Sequence, residues 1–186
     1  MRRTLTLTLA LATGLLLAQA AIAALPDGAK APLFTATATL GGKTYPFSLA
    51  RALKKGPVVL YFYLAAFTPG CTLEAHLFAE AMPKFKALGA TVIGVSHDSI
   101  AKLKRFSVSA CRKKFPVAAD TTGRIMKTYD AVLPSNPMLA NRVSYVITPG
   151  DRVFYSYTNL DPRRHVANTL QAVRRWDAAH PRHPAH

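Results

Sequence analysis

The chain has 186 residues, half of them hydrophobic, and a formal net charge of +15 from 24 basic and 9 acidic side chains. That apolar fraction excludes a disordered polyelectrolyte, and the length suits one domain with a single core. Its two cysteines, Cys71 and Cys111, exclude a disulfide framework and leave one intramolecular bond to be made.

In chain order, Met1-Arg2-Arg3 gives a positive start and Leu5 to Leu17 is almost wholly apolar. The small residues of Ala18-Gln19-Ala20 and Ala21-Ile22-Ala23 follow, which is the layout of a secretory signal peptide. Residues 1–23 are therefore expected to be removed after Ala23, with Ala20 as the second site, and the mature protein to be exported, into the periplasm. The competing reading is an uncleaved membrane anchor, because the stretch approaches the ~20 residues that span a bilayer.

The domain is expected over 24–179. Leu33 to Leu40 and Lys43 to Phe47 alternate on either side of Gly41-Gly42, as a hairpin does. Val58 to Leu64 is a continuous apolar and aromatic run, the mark of a central strand covered on both faces. From Cys71 the spacing of Leu73, Leu77, Phe78, Ala81 and Phe85 predicts a helix that Pro83 kinks or shortens. Thr91 to Ser96 reads as a second buried strand, Ser99 to Ala110 as a basic helix, Phe115 to Ala118 as a strand and Thr121 to Tyr129 as a short helix. Leu133 to Ala140 reads as a loop, and Val143 to Ile147 with Arg152 to Tyr157 as a hairpin. A final helix opens at Asp161 (N-cap) and Pro162, with Val166, Leu170, Val173 and Trp176 on one face. The tail 180–186 is expected to be disordered. Strands alternating with helices, then a closing hairpin and helix, describe an α/β domain with a mixed sheet.

Lys54-Lys55, Lys102 to Arg105, Arg112 to Lys114, Arg163-Arg164 and Arg174-Arg175 are scattered, without a nucleic-acid module signature. They read as a solvated basic surface, suited at most to weak association with an anionic membrane surface. His97 and Asp98 lack further ligands at metal-site spacing, and no metal is expected.

Cys71 carries the chemistry. It falls where the central strand gives way to a helix, and a helix's first turn offers unpaired N–H groups and the positive end of its dipole. Such surroundings favour the thiolate, the nucleophilic form of cysteine. The segment Thr68-Pro69-Gly70-Cys71-Thr72-Leu73-Glu74, directly after the apolar strand, resembles the active-site loop of peroxiredoxins, and of their bacterioferritin-comigratory (Q-type) subgroup in particular. Val95-Ser96-His97-Asp98-Ser99 and Asn141-Arg142-Val143-Ser144-Tyr145-Val146-Ile147 are similar to further family segments, so the resemblance runs from about residue 27 to residue 176.

The resemblance implies a thioredoxin-like fold and a thiol-dependent peroxidase that reduces hydrogen peroxide and organic hydroperoxides without a cofactor. It assigns Cys71 as the peroxidatic thiolate, Thr68 as a hydroxyl donor to the thiolate or peroxide, and Arg142 as the guanidinium that stabilises both the thiolate and the leaving oxygen. Glu74 is either a capping carboxylate or the group that orients Arg142. A thioredoxin-like protein or a low-molecular-weight thiol would be the reductant, and the chain a monomer or dimer. Two departures stand out. The Q-type resolving cysteine five residues after the first is replaced by His76, which leaves Cys111 or an external thiol to reduce the sulfenic acid; Arg112, Lys113 and Lys114 are expected to favour a Cys111 thiolate. The family proline four residues before the threonine is Leu64, which predicts a weakened enzyme. Two rival readings remain: a thioredoxin-fold thiol-disulfide oxidoreductase, although neither cysteine has a Cys-x-x-Cys partner, and a basic surface-binding protein on a weakened peroxidase scaffold.

Overall fold

A computed structural model describes residues 24–181; the expected signal peptide and residues 182–186 of the expected tail lie outside the described residues. The strands are β1 (Thr35–Leu40), β2 (Lys43–Ser48), β3 (Val58–Phe62), β4 (Thr91–Ser96), β5 (Val117–Ala119), β6 (Val132–Leu133), β7 (Asn136–Ala140), β8 (Val143–Ile147) and β9 (Val153–Thr158). The helices are α1 (Leu49–Leu53), α2 (Pro69–Ala87), α3 (Ile100–Ser109), α4 (Arg124–Thr128) and α5 (Arg163–Ala179). Seven strands form one mixed sheet in the order β2-β1-β5-β4-β3-β8-β9, parallel only where β3, β4 and β5 meet.

β3 lies near the middle of that sheet and is buried along its whole length. Because side chains alternate across a strand, its residues feed two cores. Val59 and Tyr61, with Tyr63 just beyond the strand, face α2, α3 and α5. Val58, Leu60 and Phe62 face α1, α4 and Tyr129. The unbroken apolar run is thus explained by burial on both faces. In the β1–β2 turn, Gly41 and Gly42 both have positive φ, the conformation a two-residue hairpin turn of the favoured twist requires.

Four expectations are corrected. α2 is not shortened at Pro83 but runs through it to Ala87, because the proline is exposed and its missing N–H costs a single helical bond. The buried stripe of α2 is Cys71, Glu74, Ala75, Phe78, Met82 and Phe85, while Leu73 is exposed. Residues 133–140 are not a plain loop. β6 and β7 pair as a small separate hairpin, in which Pro137 sits on a two-stranded ribbon that does not need its N–H. α5 begins one residue later than expected, with Pro162 in the N-cap position, although the Asp161 carboxylate still accepts from the Arg163 N–H at 3.1 Å.

The Tyr61 ring lies flat over Gly94 on the neighbouring strand, where a Cβ would stand 2.6 Å from a ring carbon. The ring also stacks on Phe78 of α2, so it has little room to retreat. Gly94→Ala should therefore destabilise the domain by about 1–3 kcal/mol, read as a lower urea midpoint with an unchanged slope.

Candidate active site

Cys71 sits in the first turn of α2, which Thr68 precedes at the N-cap position and Pro69 opens. Proline serves well there, since its absent N–H would have had no partner. The sulfur is 1% exposed, on the face of α2 that packs on the sheet. Across from it, Arg142 enters β8 from the β7–β8 connection. Its Nη2 donates to Cys71 Sγ at 3.4 Å and its Nη1 to Glu74 Oε2. Nε donates to the carbonyl of Leu160 at 2.9 Å, so the guanidinium is held on three sides. A Cβ on Gly70 would stand 3.1 Å from Nη2, so the residue before the cysteine leaves the cation its approach.

The electrostatics follow from burial. Glu74 is wholly buried, and desolvation lifts its carboxyl to about 8 although Arg142 pulls the other way. Burial disfavours the Arg142 charge, but Glu74 and Cys71 more than offset that, and its pKa lies above the usual value. Behind Glu74 is His165 of α5, also wholly buried. Its Nδ1 stands 2.8 Å from Ser144 Oγ and its Nε2 2.8 Å from the Asn159 carbonyl oxygen. Desolvation lowers the imidazole to about 4.

Of the four residues expected to act, the structure brings Cys71 and Arg142 into contact. It resolves the two roles open for Glu74 in favour of orienting Arg142. Thr68 is exposed and its hydroxyl donates to the Ala65 carbonyl at 3.0 Å, so it satisfies its own turn rather than the sulfur. Cys111 lies just past the end of α3, free, wholly buried and in the same apolar cluster as Cys71. The expectation that Arg112 to Lys114 favour its thiolate is corrected. Those side chains are exposed, the backbone at Arg112 and Lys113 turns through positive φ, and burial pushes the Cys111 thiol far above its ordinary range. Sequence reasoning missed His165 and Ser144. His165 sits among the apolar spacings of the last helix and Ser144 inside a strand, and neither position signals proximity to Cys71.

Asp98 holds the loop between β3 and α2. Its Oδ2 accepts from the Ala66 N–H at 2.7 Å and from Ser96 Oγ at 2.8 Å, and its Oδ1 pairs with Lys102. Among the described residues, no group of three or more His, Cys, Asp or Glu side chains is arranged to hold a metal ion.

The class defined by this mixed sheet, with helices on both faces and the buried cysteine at the helix after the central strand, is the thioredoxin-like α/β domain. The AhpC/TSA family profile matches residues 28–156, and the chain belongs to that family. It is 36% identical over 133 residues to the chloroplastic peroxiredoxin Q of Triticum aestivum, covering 71% of this chain and 59% of the relative. The chloroplastic peroxiredoxin Q of Sedum lineare is 34% identical over 129 residues, covering 69% of this chain and 68% of the relative. The chain thus spans about three fifths of the length of the wheat relative. Among solved structures, peroxidoxin BcpB of Mycobacterium tuberculosis superposes with a TM-score of 0.73 at 28% identity, over 80% of this chain and 96% of that one. A cysteine-to-serine variant of PrxQ from Xylella fastidiosa shares the fold, with a TM-score of 0.72 at 24% identity, over 82% of this chain and 97% of that one.

The buried acid and imidazole make stability depend on pH with opposite signs. Glu74 binds its proton more tightly folded than unfolded. That contribution is complete below about pH 4.5 and is lost as pH rises towards about 8. His165 resists protonation in the fold, so stability is regained as pH rises from about 4 to 6.5. Between pH 6.5 and 8 only Glu74 of this pair acts. Stability should therefore fall across that window, by up to about 1.4 kcal/mol per pH unit, seen as a declining thermal midpoint, and Glu74→Gln should flatten the decline. Calorimetry at several pH values checks both.

Proposed function

We propose that this chain is a thiol-dependent peroxidase that reduces hydrogen peroxide and organic hydroperoxides. The observation that carries the reading is Arg142 Nη2 at 3.4 Å from a buried cysteine sulfur in the first turn of a helix. Membership of the AhpC/TSA family and the likeness to peroxiredoxin Q proteins support it.

The Cys71 thiolate attacks one peroxide oxygen along the O–O axis. An S–O bond forms, the O–O bond breaks, sulfur is oxidised by two electrons, and the other oxygen leaves, taking up a proton to become water or an alcohol. Arg142 first stabilises the thiolate and then the charge gathering on the departing oxygen, with two charged hydrogen-bond donors fixed in place beforehand. The Cys71 backbone N–H, unpaired as in any first helical turn, faces the same developing charge. Thr68 meets the peroxide by turning its hydroxyl away from Ala65. Exposed Phe67 and Leu73, either side of the cysteine, and Leu160 beside Arg142 give an apolar edge that suits an organic hydroperoxide.

The product, a sulfenic acid on Cys71, is reduced by a thiol: Cys111 or an external thiol, which a thioredoxin-like protein or a small molecule supplies. Resolution by Cys111 needs local opening, because that thiol is buried and held protonated. The leader-like N-terminal residues support export to an oxidising compartment, the periplasm. The basic surface supports weak association with anionic membranes, as a monomer or dimer.

Mass spectrometry of the reduced protein mixed with hydrogen peroxide tests the reading. Rapid oxidation confined to Cys71, followed by a Cys71–Cys111 bond or by turnover with an added thiol, is expected; unreacted thiols overturn it. In Cys111→Ser the sulfenic acid on Cys71 should persist at least tenfold longer than in the parent, an estimate for loss of an intramolecular thiol. An unchanged lifetime assigns resolution to the external thiol.

Leu64 is half-buried against the core. Proline there would remove backbone freedom ahead of the loop. Leu64→Pro should raise the stopped-flow rate of Cys71 oxidation roughly two- to tenfold, on the usual scale of a better-ordered site.

A further inference from the structure

Behind Arg142 is a layer of polar groups that the chemistry at sulfur does not use. Glu74 gives Oε2 to Arg142, while Oε1 is buried without a hydrogen-bond donor. A buried carboxylate oxygen left so forfeits its solvation. His165 Nδ1 faces Oε1 at 3.7 Å. The tautomer follows from the neighbours. Nε2 is 2.8 Å from the Asn159 carbonyl oxygen, which only accepts, so Nε2 carries the hydrogen. Nδ1 of the neutral ring is then an acceptor, and its one lone pair takes the Ser144 hydroxyl. At 3.7 Å it makes no hydrogen bond to Oε1, but its partial negative charge disfavours a carboxylate there and leaves a protonated acid undisturbed.

We propose that Glu74 stores the proton that Cys71 gives up, and that His165 is the positioning residue that keeps it there: the neutral ring sets its electron-rich Nδ1 against Glu74 Oε1 and so opposes the carboxylate. This deepens the peroxidase reading above and rests on it. The charge balance favours it. Arg142 is one cation between two acids, Cys71 on one side and Glu74 on the other. With both ionised, the buried site carries an excess negative charge; with Glu74 protonated, the guanidinium is left to the sulfur. The groups facing Glu74 are Arg142, which also holds Cys71 of α2, His165 of α5 and, electrostatically, Tyr61 of β3. Those facing His165 are Arg142, Asp161 and the edge of the Tyr157 ring on β9. Arg142 is the one full positive charge among them. Burial, which lifts the carboxyl to about 8 and lowers the imidazole to about 4, acts in the same direction.

The protons and electrons balance. A Cys71 thiol and a Glu74 carboxylate become a thiolate and a carboxylic acid. Attack forms the S–O bond, breaks the O–O bond and sends two electrons from sulfur to the departing oxygen. That oxygen takes up one proton, the number stored, and the site ends as a sulfenic acid, a Glu74 carboxylate and released water or alcohol.

Two substitutions separate positioning from packing. His165→Gln keeps a donor for Asn159 but offers Glu74 no acceptor at the Nδ1 position. His165→Asn places an amide oxygen where Nδ1 was. The readout is the rate of Cys71 alkylation by iodoacetamide from pH 5 to 9, followed by mass spectrometry, which needs no peroxide. With His165→Gln, alkylation at pH 7 should slow roughly tenfold, the effect of about one pKa unit on the thiolate fraction, while His165→Asn stays within about twofold of the parent. Equal losses in both variants, or a parent-like rate in His165→Gln, overturn the proposal. Should His165→Gln fail to fold, Glu74→Gln tests it from the other side, because its amide mimics the protonated acid. Alkylation should then match the parent at pH 7, where Glu74 already holds its proton, and quicken about three- to tenfold at pH 9, where the parent's Glu74 has ionised; an unchanged rate at pH 9, or a slower one at either pH, overturns it. A parent protein that alkylates as expected but reduces no peroxide refutes the peroxidase reading and leaves the proton store standing.

Discussion

One guanidinium between two buried acids organises this molecule. Arg142 cannot be buried as a charge without compensation, and neither an ionised Glu74 nor the Cys71 thiolate can be buried without Arg142. The three are brought together by elements far apart in sequence: the first turn of α2, the entry to β8, and the connection to α5, whose Leu160 carbonyl takes Nε. Removing Arg142 would leave the Cys71 thiolate unpaired in a low-dielectric setting, which costs more than the pair itself contributes. The sheet and helices around the triad supply rigidity. β3 and β8 are direct neighbours in the sheet, and α2 packs on the same face as α5.

The loop that delivers Cys71 lacks proline at position 64, and other contacts take over its restraint. The Asp98 carboxylate fixes the Ala66 N–H, Ser96 and Lys102 brace that carboxylate, and Thr68 closes its turn on Ala65. Phe67 adopts a left-handed backbone that a bulky residue rarely takes, and its ring rests edge-on against Phe106 of α3. The loop is thus held by several moderate interactions in place of one covalent constraint. An interaction of this kind can be broken and remade, whereas the φ of a proline cannot.

Much of this was legible in the sequence because it is encoded locally. A continuous apolar run reports burial on two faces, and Gly41-Gly42 reports its turn. Thr68 to Glu74 reports a cysteine at a strand-to-helix junction, and the segment from Asn141 reports the arginine. What was not legible depends on facing. Glu74 is three residues after Cys71 and so shares its buried face, yet a charged residue near a helix start reads equally as a cap. Leu73 looks like core and is exposed, because the stripe of α2 is set by the sheet it meets and not by apolarity alone. His165 and Ser144 are separated from the cysteine by most of the domain, and only the β3–β8 pairing and the docking of α5 bring them to Glu74. For Cys111 the nearby basic residues misled: adjacency in sequence says nothing about which way a side chain points after a helix ends in left-handed turns.

The burial of Cys111 sets a relation between stability and turnover. Both sulfurs contribute to one apolar cluster, so the proposed bond between them would require opening the core that holds the triad. The cost of opening is lowest where helix propensity is weakest. α2 carries Gly70 in its first turn, a residue that favours a helix weakly, and Thr68 to Gly70 are exposed or half-buried, so unwinding that turn uncovers little apolar surface. Phe78, Met82 and Phe85, further along α2, stay packed whether the first turn is wound or not. In the peroxidase cycle proposed above, oxidation supplies the drive. A sulfenic acid is neutral, so Arg142 loses the charge that tied it to the first turn and keeps only Glu74. The same ion pairing that assembles the reactive site thus releases it once the sulfur has reacted, and the carboxylate behind the arginine keeps the cation in place for the next cycle.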